Sequence, residues 1–215
     1  MTAGGEPGCG PGSAPRSALV LELVGVTRQH GGRRVWEPVD LRLAAGTLSV
    51  VTGVNGSGKS TLLRLAAGLL RPSVGTRRCA GRALYVRGGG GLRSALTVAD
   101  AVATTATLAG RRDAAPTALA LLRMDGFADR RVGSLSAGER VRVALAAAWA
   151  AGPALLCLDE PTAVLDEAGL HELVEILGCL RENGCAILVA THQPAQLLQV
   201  SDAHLLLTGG RVTAG

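Results

Sequence analysis

Lysine occurs once among the 22 basic residues of this chain, at Lys59, within Gly53-Val54-Asn55-Gly56-Ser57-Gly58-Lys59-Ser60-Thr61. Every other basic position is arginine. A planar guanidinium cannot stand in for a compact ammonium inside a tight phosphate loop, which explains a lone lysine here. Gly53, Gly58, Lys59 and Ser60 satisfy G-x-x-x-x-G-K-[ST], with an apolar strand pattern before the loop (Leu48–Thr52) and a helical pattern after it (Thr61–Ala67). The glycines and the intervening Asn55, Gly56 and Ser57 let backbone N–H groups close around a polyphosphate, and the helix N-terminus at Thr61 adds partial positive charge. Lys59 is expected to reach the β- and γ-phosphates and the Ser60 hydroxyl to bind Mg²⁺. This chemistry calls for a nucleoside triphosphate.

A second group of residues lies about a hundred positions downstream. Asp159 closes the apolar run Leu155-Leu156-Cys157-Leu158, with Glu160 directly after it. A strand-end aspartate facing the loop can hold Mg²⁺ through water, and the neighbouring glutamate can polarise a water for attack on the γ-phosphate. Leu135-Ser136-Ala137-Gly138-Glu139 opens a third segment. Ser136 and Glu139 have the spacing of a capping box, so this is a helix N-terminus with a hydroxyl and free N–H groups, an arrangement that attracts anions.

The elements that must carry these residues alternate between short strands and helical patterns, which predicts an α/β domain with a largely parallel sheet. Leu48–Thr52, Ala154–Leu158 and Cys185–Ala190 are continuous apolar runs, as expected of strands covered on both faces. Leu19–Val24 and Val39–Leu43 alternate like antiparallel strands near the N-terminus. Strand signals vanish between Gly88 and Gly133, where Thr97–Leu108 and Pro116–Met124 read as helices inserted in the α/β core.

Composition narrows the class. The 215 residues suit one domain, 47% are hydrophobic, and the aromatics are two Trp, one Tyr and one Phe, so the core is aliphatic. The net charge of +5 comes largely from arginine pairs such as Arg111-Arg112 and Arg130-Arg131, with no aromatics interleaved to stack bases; nucleic acid is not expected as a partner. The longest apolar stretch, Val143 to Leu158, is broken by Gly152-Pro153 and is read as a helix, turn and strand rather than a membrane span. Residues 1–17, rich in Gly, Pro and Ser, read as a disordered tail and not as a signal peptide. The five cysteines form no C-x-x-C pair; Cys157 and Cys185, inside apolar runs, read as buried hydrophobes in a reducing cytoplasm.

Taken in order, these motifs resemble those of the ATP-binding-cassette (ABC) ATPases, over about residues 18–215. Leu135–Glu139 is similar to that family's signature motif, Leu155–Thr162 to its strand with catalytic glutamate, Ala163-Val164-Leu165-Asp166 to its D-loop, and Thr191-His192 to its switch histidine. The resemblance implies a P-loop NTPase fold: an ABC-type nucleotide-binding domain with an N-terminal antiparallel β-subdomain and a helical subdomain inserted at about 88–135. It also implies Mg-ATP hydrolysis at Glu160, His192 at the γ-phosphate, and a head-to-tail homodimer or heterodimer. Ser136, Ala137, Gly138 and Glu139 of one subunit would then meet the other's phosphate loop, with Asp166 between them. The partners implied are transmembrane permease subunits, and the location is the cytoplasmic face of the cell membrane, peripherally bound. The family's adenine-stacking aromatic falls on His30.

One departure concerns the glutamine the family carries at the entrance to the helical insertion. That position falls on Gly88, and no glutamine occurs between Gln29 and Gln193. The stretch Tyr85-Val86-Arg87-Gly88-Gly89-Gly90-Gly91-Leu92-Arg93 resembles the corresponding one in the cytochrome c biogenesis haem-exporter ATPases, which also lack the glutamine. Short metal-transporter ATPases share the compact hairpin before it, so metal or drug export stays open beside haem export. The alternative function is a soluble regulatory or binding module that closes on ATP and hydrolyses it weakly; Gly88 favours that reading, and the intact Asp159-Glu160 pair and His192 oppose it.

Overall fold

A computed structural model describes residues 18–88 and 90–215. The tail expected over residues 1–17, with Cys9, lies outside the described residues, as do Gly89 and the side chains of His30 and Arg33.

The N-terminal alternation folds as read. Strand β1 (Leu19–Thr27) leads through a short ribbon, β2 (Gln29–His30) and β3 (Arg33–Arg34), to β4 (Val39–Ala44), which pairs antiparallel with β1. Val39, Leu41 and Leu43 are buried while Asp40 and Arg42 between them are exposed, so one face of this ribbon packs and the other is solvated. The chain then enters β5 (Leu48–Gly53), the phosphate loop and helix α1 (Lys59–Ala66). An arginine-bearing strand, β6 (Val74–Cys79), returns to pair with β1 and completes a three-stranded sheet in the order β4-β1-β6.

Strand β7 (Ala83–Arg87) starts the crossing into the helical segment. Helix α2 (Val98–Leu108) begins on Thr97, whose hydroxyl accepts from the Asp100 N–H at 3.1 Å. Helix α3 (Ala114–Leu121) follows, slightly upstream of the expected Pro116–Met124, and both helices pack on α4 (Ala137–Ala151). Beyond α4 come β8 (Leu155–Asp159), α5 (Glu167–Glu182), β9 (Ala186–Ala190), α6 (Ala195–Gln199) and a closing antiparallel pair, β10 (Ala203–Thr208) and β11 (Arg211–Ala214).

The main sheet runs β11-β10-β5-β9-β8-β7, and every pairing from β10 to β7 is parallel. All five residues of β8 and of β9 are buried. Period-2 alternation distributes them between two cores. Leu156, Leu158, Ile187 and Val189 meet the helical side (α2 to α5), whereas Leu155, Cys157, Ala186 and Leu188 meet α1 and the antiparallel sheet. At about 1.5–3 kcal/mol per fully buried aliphatic side chain, these two layers are what holds the strand ends in register. Asp159 continues the Leu155, Cys157 series and therefore lies on the α1 face of the sheet. Among the described residues no helix is long and apolar enough to cross a membrane.

Candidate nucleotide site

The phosphate loop closes over residues 54–58, with the Ser57 N–H donating to the Val54 carbonyl at 3.1 Å. Gly58 caps α1 in the left-handed region, at φ 102°. A Cβ there would stand 2.7 Å from the ring of Trp36 and 2.7 Å from Val35, so both its conformation and its neighbours require glycine. Trp36 itself is 1% exposed and donates its indole N–H to the Val26 carbonyl, which fixes the loop's floor to β1.

The Lys59 ammonium donates to the carbonyls of Gly53 (2.7 Å) and Val54 (3.2 Å). Its side chain is only 7% exposed and makes no ion pair with a carboxylate among the described residues. A buried, uncompensated cation is costly, and an anion in the loop would relieve that cost. The N–H groups of Asn55, Gly56 and Gly58 have no acceptor among the described residues, and the buried Ser57 hydroxyl has no hydrogen-bond partner. Donors without acceptors around a retained ammonium, at a helix N-terminus, fit a polyphosphate.

Ser60, in the first turn of α1, donates its hydroxyl to Asp159 Oδ1 at 3.0 Å. Asp159 is 2% exposed. Its other oxygen, Oδ2, accepts from the Tyr85 hydroxyl at 2.5 Å, and that hydroxyl accepts from Arg64 Nε at 3.3 Å. Burial, and next the bond to Asp159, push the Tyr85 phenol above its ordinary value; the bond to Tyr85 raises Arg64 in turn. The hydroxyl of Ser60 and the carboxylate of Asp159 form a hard oxygen pair of the kind Mg²⁺ uses, usually with waters and phosphate oxygens completing its shell. The residues present therefore fit that ion.

Glu160 turns the chain away from the strand with φ 54°, a left-handed conformation unusual for a glutamate. Its backbone N–H is tied to the Ala190 carbonyl at 2.8 Å. The Glu160 carboxylate accepts from the His192 backbone N–H at 3.2 Å and contacts His192 Nδ1 at 2.7 Å. Beneath this pair the buried hydroxyls of Thr162 and Thr191 meet at 2.6 Å, clamping the ends of β8 and β9 together. Ser60, Arg87, Gly88, Gly90, Asp159, Glu160, Ala163 and Val164 line a cleft of about 390 Å³.

The remaining expected residues gather elsewhere. Ser136 caps α4 in a complete capping box: its hydroxyl accepts from the Glu139 N–H at 3.2 Å, and the Glu139 carboxylate accepts from the Ser136 N–H at 2.6 Å. The second bond, foremost, holds the Glu139 carboxyl below its ordinary value. Ser136, Ala137, Gly138 and Glu139 line a second groove of about 390 Å³ together with Val164, Leu165 and Asp166, adjoining the first cleft at Val164. Asp166 caps α5, its carboxylate accepting from the Gly169 N–H at 2.8 Å. The structure thus brings Ser60 to Asp159 and Glu160 to His192, while the Ser136–Glu139 turn opens onto the second groove. Tyr85 and Arg64 join the site without any motif to announce them. Their contact with Asp159 crosses from β7 and α1 to β8, a relation that one-dimensional spacing does not carry.

The sequence profile of the family described as "ABC transporter" matches residues 36–163. The chain is 38% identical over 216 residues to the "Aliphatic sulfonates import ATP-binding protein SsuB 1" of Burkholderia cenocepacia, covering 94% of this chain and 64% of that protein. It is 37% identical over 177 residues to the "Cytochrome c biogenesis ATP-binding export protein CcmA" of Sphingopyxis alaskensis, covering 81% of this chain and 90% of that protein. A solved structure described as the ATP-binding subunit of an ABC transporter superposes with a TM-score of 0.81 at 25% identity, over 91% of this chain and 89% of that one. The chain spans under two thirds of the length of the Burkholderia sulfonate-import relatives it matches, and most of the length of the export relative. With the phosphate loop, the strand-end acid pair and the capped Ser136 turn all on one cassette fold, the chain belongs to the ABC transporter family.

Proposed function

We propose that this chain binds and hydrolyses Mg-ATP as the energising subunit of a membrane transporter whose membrane-spanning subunits are separate chains. The observation that carries the reading is the Ser60–Asp159 hydrogen bond of 3.0 Å beside the Lys59-bearing loop, with Glu160 at the rim of the same cleft. Ser60 and Asp159 would hold Mg²⁺, which would supply neutralisation of the charge that develops on the phosphates. The protein's own steps are positional. Loop N–H groups and Lys59 hold the phosphates, Ser60 and Asp159 offer the oxygen pair, and Glu160 orients a water and accepts its proton. His192, on Glu160 Oε2 at 2.7 Å, would contact the γ-phosphate from beside the base. Adenine would stack on His30.

The Ser136–Gly138 turn does not line the Ser60–Asp159 cleft and presents a capped helix N-terminus, which supports its use on the ATP of a second cassette. The working unit is then a dimer, homo- or heteromeric, with two shared sites and Asp166 near the seam, bound peripherally to the inner face of the membrane through its permease partners. An exporter-like role is supported by the glutamine-free stretch Tyr85–Arg93 and by the 37% identity to a cytochrome c biogenesis export protein. Residues 88–135, with α2 and α3, are the helical subdomain that would face those partners.

Glu160→Gln tests the reading. The variant keeps the loop and loses the base, so it should bind ATP with near-native affinity and hydrolyse it at least a hundredfold more slowly. Light scattering in Mg-ATP should then show a trapped dimer, with the native permease-linked cassette added if the assembly is heteromeric. Undiminished turnover, or no dimer with either partner, overturns the proposal.

A further inference from the structure

We propose that Tyr85 is a positioning residue for Asp159, fixing the carboxylate so that it presents one oxygen to Ser60 and to the metal ion; this rests on the Mg-ATP reading above. The register makes the contact possible. Tyr85 pairs with Cys157 on the adjacent parallel strand, so its side chain stands on the α1 face, one step behind Asp159 on that same face. From there the hydroxyl donates to Asp159 Oδ2 at 2.5 Å while Ser60 donates to Oδ1 at 3.0 Å. The two oxygens thus have distinct tasks.

The two donors also differ in their other duties. The Ser60 hydroxyl can turn an oxygen lone pair to a cation while its proton still donates to Oδ1, so it serves ion and carboxylate together. The Tyr85 hydroxyl, on the far oxygen, serves the carboxylate alone and fixes its rotation from the side away from the ion. Arg64 supports the donor from behind, with Nε 3.3 Å from the hydroxyl and the guanidinium carbon 5.7 Å from the ring centroid. A guanidinium feeding a phenol that feeds a carboxylate is a charge-assisted chain, stronger and better oriented than a water would be in its place. It is the chain's only tyrosine. It joins the core between α1 and the antiparallel sheet through its ring, so a phenylalanine keeps the packing and removes the hydroxyl alone.

The experiment uses full-length Tyr85→Phe beside wild type and Asp159→Asn. Equilibrium binding of a fluorescent ATP is measured across a Mg²⁺ titration and again in excess EDTA, with a melting curve for each protein. Loss of an outer-shell partner of a metal ligand typically costs about 10- to 100-fold in metal affinity or activity. Tyr85→Phe should therefore raise the Mg²⁺ concentration for half-maximal tightening about tenfold, while its EDTA affinity and melting temperature match wild type. An unchanged Mg²⁺ midpoint in Tyr85→Phe, with a shifted one in Asp159→Asn, overturns the role of Tyr85 alone. A Mg²⁺ midpoint that neither variant moves defeats the metal reading of Asp159 itself. Equal losses of EDTA affinity and Mg²⁺ affinity in Tyr85→Phe, accompanied by a lower melting temperature, mark it as a packing residue only and also overturn the proposal.

Discussion

Gly88 is the position at which the family resemblance places a glutamine, and introducing that side chain tests two physical arguments at once. The residue has φ +35°, in the left-handed region, and its N–H donates to the Asp159 carbonyl at 2.9 Å. A Cβ would lie 3.4 Å from the Glu160 carbonyl oxygen and 3.8 Å from that of Asp159, so it points into the cleft without a clash. Any L side chain there costs about 1–2 kcal/mol of backbone strain. Reduced freedom of the unfolded chain offsets about 0.4–1 kcal/mol of this. The net loss is about 0–1.6 kcal/mol, centred near 0.8, and at that centre Tm falls by about 2–3 °C for a domain of this size. Gly88→Ala carries the same strain without the amide and isolates the second effect. In Gly88→Gln the amide enters a cleft lined by Ser60, Asp159 and Glu160, where one hydrogen bond made in the transition state is worth about 1 kcal/mol, or about fivefold in rate. The assay is steady-state ATP hydrolysis by the isolated subunit, with melting curves for all three proteins. Both variants should melt a few degrees below wild type, and Gly88→Gln should turn over about fivefold faster than Gly88→Ala. Equal rates in the two variants refute the claim that Gly88 marks the missing glutamine, and unchanged melting refutes the strain argument.

Lys59→Ala removes the ammonium now held on the Gly53 and Val54 carbonyls, and ATP affinity in an equilibrium titration should fall by about 1.5–3 kcal/mol or more. The Glu139 carboxyl is held low chiefly by the Ser136 N–H, so its stabilising contribution is complete above the ordinary value of 4.5 and is lost as pH falls through and below it. Denaturant titrations should show Glu139→Gln losing less stability than wild type between about pH 5 and pH 3, and parallel acid limbs would contradict the capping box. Burial pushes the Cys185 thiol up to about 12 and Cys157 higher still, so iodoacetamide at pH 8 should modify both only after denaturation, as read by peptide mass mapping.

The parts of this fold legible in the sequence are those whose signal is local. β8 and β9 are continuous apolar runs because both faces are covered, and the Thr97 and Ser136 caps announce α2 and α4 because a cap is satisfied within three residues. β6 gives no such signal: Val74-Gly75-Thr76-Arg77-Arg78-Cys79 lies at the sheet's edge, largely solvated, and is a strand only because β1 supplies its hydrogen bonds. β7 was equally hidden, since Ala83–Arg87 takes its register from β8. The candidate site divides along the same line. Its loop half is one continuous segment and could be read from spacing, whereas its carboxylate half is assembled from α1, β7 and β8. Sequence could name Ser60 and Asp159 separately. It could not show that their meeting leaves Oδ2 of Asp159 turned toward Tyr85, because that follows from a parallel register which places residues 85, 87, 157 and 159 on one face. The same register explains why Gly88 matters. One residue past the end of β7, its N–H is still tied to the Asp159 carbonyl, so the chain leaves the sheet for the helical segment from the backbone that carries the Asp159 carboxylate. That bond is a direct backbone link between the start of the helical segment and the strand end where Asp159 and Glu160 sit, and it is made at a left-handed residue for which glycine is the natural occupant.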